Sequence, residues 1–491
     1  MKQRLDSGNG CKSMTLLILF FLFSIQISEQ LSAQYSGFDL SRYKLPDIKV
    51  SRLDMMFDLG GNMNKARIES WDGDSVRARN NMFGTNINLN YNHFRNTQKY
   101  QGILDVRLLG DKTRYSQDNE NSNSENAYNT MSLNVTNNSR FYNASRKFIE
   151  LGPSLTFTRL GEKQKQVQVP GISYDISDKK HSLRLSLPVS AGIGRIEPVE
   201  DMRLAIYILE ELNKAGRTGS LPDDELLIDL ARKISEIKRK RFFDARLRKI
   251  EELVELDSFL LASNIISEMD ITSFTILNDQ WDYASGPSRY AGFSFDAGID
   301  DELFLDRSNE LLTANGIESE PVKSNSTVFF IGGFSRIRYE KPHNLYWQSS
   351  ANLKVRYGME VHSLPDIQPG NGEQLKYKVF NAAASYAISY IPDSRSLYSL
   401  SMEGSYKDSG SNQYFYLPTP GTYSVSDGNI YVKAGLRMYY YVSPQFRISL
   451  DSRAALYVIN SSKTLENQPE LTELRRSSEN NLTLTLNYSF F

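Results

Sequence analysis

The chain repeats one pattern along most of its length: short runs in which apolar and polar residues alternate with a period of two. From Asn86 it reads Ile87, Leu89 and Tyr91 against Asn86, Asn88, Asn90 and Asn92, which a helix would scatter around its circumference. Leu345, Trp347, Ala351, Leu353, Val355 and Tyr357 then share one face against Gln348, Ser350, Asn352, Lys354 and Arg356. Phe446, Ile448, Leu450, Ala454, Leu456 and Val458 do the same against Arg447, Ser449, Asp451 and Arg453. A strand that presents one face to lipid and one to water has this form.

Both ends bear on where such strands belong. Lys2, Arg4 and Lys12 precede an apolar run from Leu16 to Ile27, and Leu31-Ser32-Ala33 precedes Gln34, so residues 1–33 read as an export signal. About a dozen apolar residues are too few to span a bilayer, which needs about 20. Cys11 is the single cysteine and lies before that run. The chain after the signal therefore has no thiol for a disulfide, a nucleophile or a metal. No later run reaches transmembrane-helix length, so a membrane assignment requires a β-barrel.

Composition agrees. Lys plus Arg number 57 against 58 Asp plus Glu, a balance that gives no field for nucleic acid. The mean hydropathy of −0.44 would suit a soluble protein, but 28 Tyr and 25 Phe suit barrel strands whose two faces average to a hydrophilic mean.

The last residues alternate most strictly: Leu482, Leu484, Leu486, Tyr488 and Phe490 against Thr483, Thr485, Asn487 and Ser489, with Phe491 as an extra aromatic at the end. This resembles the closing strand of bacterial outer-membrane β-barrel proteins of porin-like type. The resemblance implies that Tyr488, Phe490 and Phe491 carry the signal read by the barrel-insertion machinery, that outer-membrane lipid surrounds the strands, and that the protein resides in the cell outer membrane. Tyr43-Lys44-Leu45-Pro46-Asp47 resembles the lead-in of such barrels from Bacteroidota-like bacteria.

Strand candidates lie near Leu53, Thr85, Gly102, Tyr128, Phe148, Leu183, Ala291, Val328, Leu345, Lys376, Leu397, Ile430, Phe446 and Leu482. The fold class expected is thus an all-β transmembrane barrel of about fourteen antiparallel strands, an even number as such barrels require, with an α-helical periplasmic insert. Polar stretches at Met63 to Arg79, Tyr115 to Glu125, Gly161 to Lys179, Asp301 to Asn325 and Ser461 to Ser478 read as long extracellular loops, and the short links between them as periplasmic turns. This gives a lead-in at 34–52, six strands in 53–196, a helical insert or plug at 197–285 and eight strands in 286–491.

In the insert Met202, Ala205, Ile206, Leu209 and Leu212 form a helical stripe closed by Ala215-Gly216. Ser220 is a candidate cap ahead of Pro222 and Asp223. From there to Ser263 no Gly or Pro intervenes, which allows one long helix or a hairpin turning near Phe242 and Phe243. Its apolar seam would run through Leu227, Leu230, Ile234 and Ile237, then Phe243, Leu247, Ile250 and Val254. Lys238, Arg239, Lys240, Arg241, Arg246, Arg248 and Lys249 could dock an acidic periplasmic partner or pair with Glu251, Glu252 and Glu255.

By alternation, Arg107, Arg184, Lys354, Arg356, Lys433, Arg437, Arg447 and Arg453 face the lumen with Asp105, Glu403 and Asp451. Two readings follow: a lining that favours anions, or an interior solvated by charge pairing. His93, His181, His343 and His362 are the only histidines, and no catalytic motif, metal-ligand cluster or cofactor fingerprint accompanies them. The leading expectation is a non-enzymatic channel or transporter for small solutes, anions among them, gated by the insert. The first alternative is a membrane anchor whose helices dock a partner in envelope assembly, secretion or tethering; the second is a surface hydrolase.

Overall fold

The computed structural model describes residues 37–69, 75–119, 122–168, 172–219, 222–238, 249–283, 287–363, 374–416, 420–465 and 471–488. Phe490, Phe491 and the signal region lie outside them, as do Ser220, Phe243 and Leu247.

Among the described residues seventeen strands form one antiparallel ladder: β1 (Ile48–Glu69), β2 (Ser75–Asn96), β3 (Tyr100–Asn119), β4 (Ser122–Tyr142), β5 (Lys147–Leu151), β6 (Ser154–Gln168), β7 (Ile172–Ser186), β8 (Val189–Pro198), β9 (Tyr290–Ala314), β10 (Ile317–Glu318), β11 (Val322–Pro342), β12 (Trp347–Ser363), β13 (Gln374–Tyr390), β14 (Ser396–Tyr416), β15 (Pro420–Ser443), β16 (Phe446–Leu465) and β17 (Leu471–Tyr488). The count of fourteen survives in another form. β5 and β6 both run antiparallel to β4, and β7 and β8 both run antiparallel to β9. Each couple is therefore one span, broken where Pro153 and Pro188 cannot donate to the ladder. β10 opens the span continued by β11. β1 pairs with β2 and β17 with β16, and no register among the described residues joins the first strand to the last.

The strands outrun the alternation that revealed them. At about 3.3 Å per residue the 25 residues of β9 reach roughly 80 Å, against a hydrocarbon core of about 30 Å. Hence most of the polar stretches read as loops are strand: Met63 is still paired with Asn81, and Gln117 with Ser124. Polar hairpins outside the apolar band have no lipid-facing side chains to alternate. Leu345 also departs from its expected place, lying in the turn before β12 and buried with the helices.

Between β8 and β9 the described residues form four helices: α1 (Glu200–Lys214), α2 (Asp224–Lys238), α3 (Lys249–Ala262) and α4 (Ile271–Asp282). Gly216, at φ +66°, ends α1, its amide bonding to Asn213 O while Arg217 N reaches Leu212 O. α2 is capped by Asp223, whose carboxylate accepts from Leu226 N at 2.9 Å. The chain then folds back, with α3 packed on α2 and Lys233 bridging to Glu255 at 2.7 Å. Asp270 caps α4 by accepting from Ser273 N at 2.8 Å, which holds its carboxyl below the ordinary range.

The stripes expected on α1 and the first half of the hairpin are buried, but Ile250 is 73% and Val254 56% exposed. α3 instead buries Leu253, Leu256 and Leu260. The helix carries two apolar stripes, and packing against α2 selects the one that alternation alone could not distinguish.

Candidate functional site

The two faces of the ladder differ in chemistry. On one, apolar side chains stand exposed, among them Ile87, Phe329, Ile331, Ile337, Leu353, Tyr357, Met402, Ile430 and Leu484. On the other, charges meet. Arg140 of β4 bonds Glu150 of β5 at 2.5 Å and approaches Asp296 of β9 to 4.0 Å. Arg336 of β11 binds both acids, Glu150 at 2.7 Å and Asp296 at 2.9 Å. β5 and β8 lie between β4 and β9, a separation of roughly 14 Å across a flat sheet. These side chains converge because the sheet curls toward its charged face, which is the inner face of the barrel.

Further along the same wall Asp300 sits 3.5 Å from Lys354 and 3.2 Å from Arg356, and Glu302 bridges Arg356 at 3.7 Å and Arg184 at 3.4 Å. Arg338 of β11 also approaches Glu150 to 3.8 Å, so that six cations meet four carboxylates among these paired groups. Beneath them Phe330 lies over the facing glycines Gly332 and Gly358, where any Cβ would come within 2.7 Å of its ring. Arg356 stacks on that ring at 3.4 Å.

The remaining lumen candidates are spread over the other wall. Lys433 pairs with Glu403 at 3.0 Å and Arg437 with Asp451 at 2.9 Å. Arg447 donates to the Tyr441 hydroxyl at 3.3 Å and lies against the rings of Tyr439 and Tyr441. Arg107 sits between Asn90 and Asn134, and Arg453 between Gly435 and Asn481. The structure thus brings Arg184, Lys354 and Arg356 into one ladder and leaves the others in separate pairs or among amides.

Sequence reasoning missed the network at the heart of this wall: the buried Arg140, Glu150 and Asp296 and the half-buried Arg336 and Arg338. The available signal was the alternation Arg336, Arg338, Glu340 against Ile337 and Tyr339, which marks a charged face within an apolar strand.

The end of the barrel that carries the short turns also carries the helical domain. β8 ends by reaching across it: Arg195 donates to Asn96 Oδ1 and Thr97 O at 2.8 Å, and Gln101 Nε2 to Ile196 O at 3.1 Å, linking β8 to the β2–β3 turn three strands away. α1 then runs through the interior of the helical domain, with Met202, Ala205, Ile206, Ile208, Leu209 and Leu212 at 0% exposure. The chain returns at Arg289, also fully buried, whose guanidinium donates to Gln348 Oε1 and to the carbonyls of Asn344, Leu345 and Trp347. Burial lowers its pKa to about 10, and the neighbouring Arg203 charge acts in the same direction.

On the far side Tyr283, just after α4, meets the ring of Tyr441 at 6.0 Å and lies under Arg395 at 4.6 Å. Phe38, Leu40 and Tyr43 of the lead-in, Ala291 of β9 and Leu345 belong to the same buried cluster as the helices. Tyr43 bonds Ser235 at 2.6 Å, Ser235 bonds Asp201, and Lys238 pairs with Asp201 at 2.7 Å. Lys238 is thereby held inside the domain, while Arg239, Lys240, Arg241, Arg246 and Arg248 lie outside the described residues. Of the acids expected opposite the basic run, Glu252 accepts from Trp281 Nε1 at 2.8 Å and Glu255 takes Lys233.

The histidines have local partners: His93 bonds Ser51, His343 bonds Ser349, His362 bonds Glu360, and His181 stacks on Phe157. Among the described residues no group of three His, Cys, Asp or Glu is placed to hold a metal.

These features define the class: an antiparallel β-barrel with a helical insert on its short-turn end. No family model and no curated protein matches the chain. Among solved structures it is similar to the translocator domain of the autotransporter NalP from Neisseria meningitidis, at 8% identity and a TM-score of 0.26, covering 81% of this chain and 91% of that one. It is also similar to the CymD monoaromatic hydrocarbon channel, at 9% identity, a TM-score of 0.25 and 94% of each chain. The P. putida toluene transporter TodX gives 8% identity and 0.28 over 92% of each.

Proposed function

We propose that the protein is an outer-membrane channel for small hydrophilic solutes, anions favoured, whose periplasmic mouth is covered and gated by the helical domain. One observation carries the reading: the domain is tied to turns around most of the rim. Leu345 of the β11–β12 turn and Phe38, Leu40 and Tyr43 of the lead-in lie in its buried cluster, Tyr283 meets Arg395 and Tyr441, and its two stems are anchored by Arg195 to the β2–β3 turn and by Arg289 to the β11–β12 turn. A domain hung on a flexible tether would touch few of these. Arg107, Arg447 and Arg453 on the inner face, with which no acid pairs among the described residues, support the anion preference.

Deletion of 199–284 tests the reading in proteoliposomes. A covered channel inserts and passes solute faster without its helices. Loss of all permeation with the barrel still folded would instead favour the anchor reading. That second reading has its own support in the exposed Ile250 and Val254 of α3, an apolar stripe open to a periplasmic partner.

A further inference from the structure

Between the lead-in, α2 and the β2–β3 and β4–β5 turns lies a groove of about 680 Å³, within the range of roughly 300–1,000 Å³ usual for small-molecule sites. Lys44, Lys99, Arg146, Arg195 and Arg232 line it against two carboxylates, Asp47 and Glu197. Its frame is fixed by backbone bonds: Tyr142 N to Lys99 O at 2.8 Å and Gly194 N to Arg146 O at 3.0 Å tie the three barrel segments together.

Some of this charge is already used. Arg195 holds Glu197 at 2.8 Å while stacking on Tyr142, and Arg232 pairs with Asp229 at 2.9 Å. Lys44 donates to Ser41 O at 2.8 Å and sits 3.8 Å from Glu197. Among the described residues no acid engages Lys99 or Arg146, which project from adjacent turns.

We infer that this groove is a binding site for a small phosphate-bearing solute at the covered mouth. The inference rests on the channel reading and names the solute chemistry of the same passage. A tetrahedral dianion offers several acceptor oxygens at once, matching a lysine and an arginine fork from separate turns better than a monocarboxylate does.

The test is equilibrium dialysis of the refolded full chain in detergent with inorganic phosphate and a hexose monophosphate, alongside a K99Q/R146Q double variant. K214Q, on the exposed end of α1, serves as the control. Saturable phosphate binding that the hexose monophosphate displaces, and that the double variant weakens at least about tenfold while K214Q does not, is the expected result. No saturable binding by folded protein, or binding that the double variant leaves unchanged, overturns the inference. Displacement by phosphatidylglycerol micelles but not by the hexose monophosphate overturns it in favour of a lipid headgroup. Conductance of the same preparation separates the two ideas: a protein that conducts without binding phosphate keeps the channel and loses the site, and one that binds without conducting does the reverse.

Discussion

The barrel has two unlike walls. From β4 to β12 the inner face is interlocked: Glu150 and Asp296 are nearly or fully buried and are shared among Arg140, Arg336 and Arg338. From β14 to β17 the pairs are isolated, and the Arg437 side chain is 58% exposed. Charge is abundant on both, so the difference is one of solvent. A buried network resists loss of any member because the survivors cannot rehydrate, whereas an exposed pair is replaced by water at little cost. The first wall is built to hold shape and the second to face whatever water occupies the lumen.

Breaking the buried wall has the largest expected effect. Glu150→Ala leaves buried Arg140 with only its 4.0 Å approach to Asp296, which Arg336 already holds, and is expected to cost about 3–5 kcal/mol, seen as a lower temperature at which the barrel loses its folded gel mobility. Ile206→Ala, in the core of α1, is expected to cost about 2–5 kcal/mol, read as increased protease sensitivity of the helices with the barrel intact. Glu200 at the start of α1 has its carboxyl pushed up, mainly by burial and then by Asp201. A raised carboxyl is stabilising when protonated, so the docked helix weakens as pH rises through that folded value. Glu200→Gln should then tighten docking at neutral pH and flatten the pH dependence of that protease sensitivity. Arg437→Gln has the smallest effect on stability, at most about 1 kcal/mol, but is expected to move the reversal potential toward cations.

What could be read in advance depended on where each residue's partner lies. Alternation located all fourteen spans because lipid-facing residues repeat within a single strand. It could not show that Pro153 and Pro188 split two spans, since the ladder they break belongs to neighbouring strands. Nor could it assign Leu345 to the helical core or expose Ile250 and Val254, because those outcomes are set by tertiary packing. Lys354, Arg356 and Arg184 were visible as lumen candidates, but their convergence on Asp300 and Glu302 depends on the register between β7, β9, β11 and β12. Arg289 gave no signal at all: a lone arginine before a strand looks the same whether it faces water or clamps four acceptors in a turn.

If the helical domain seated on the rim controls the pore, fixing it there must hold the pore shut. The most direct test is single-channel recording of a Tyr283→Cys/Tyr441→Cys variant, joined by a short cleavable bifunctional thiol reagent in a chain that has no cysteine beyond Cys11. Openings seen before cross-linking are expected to disappear after it and to return when the linker is cleaved. Equal conductance in the linked and cleaved states would contradict it.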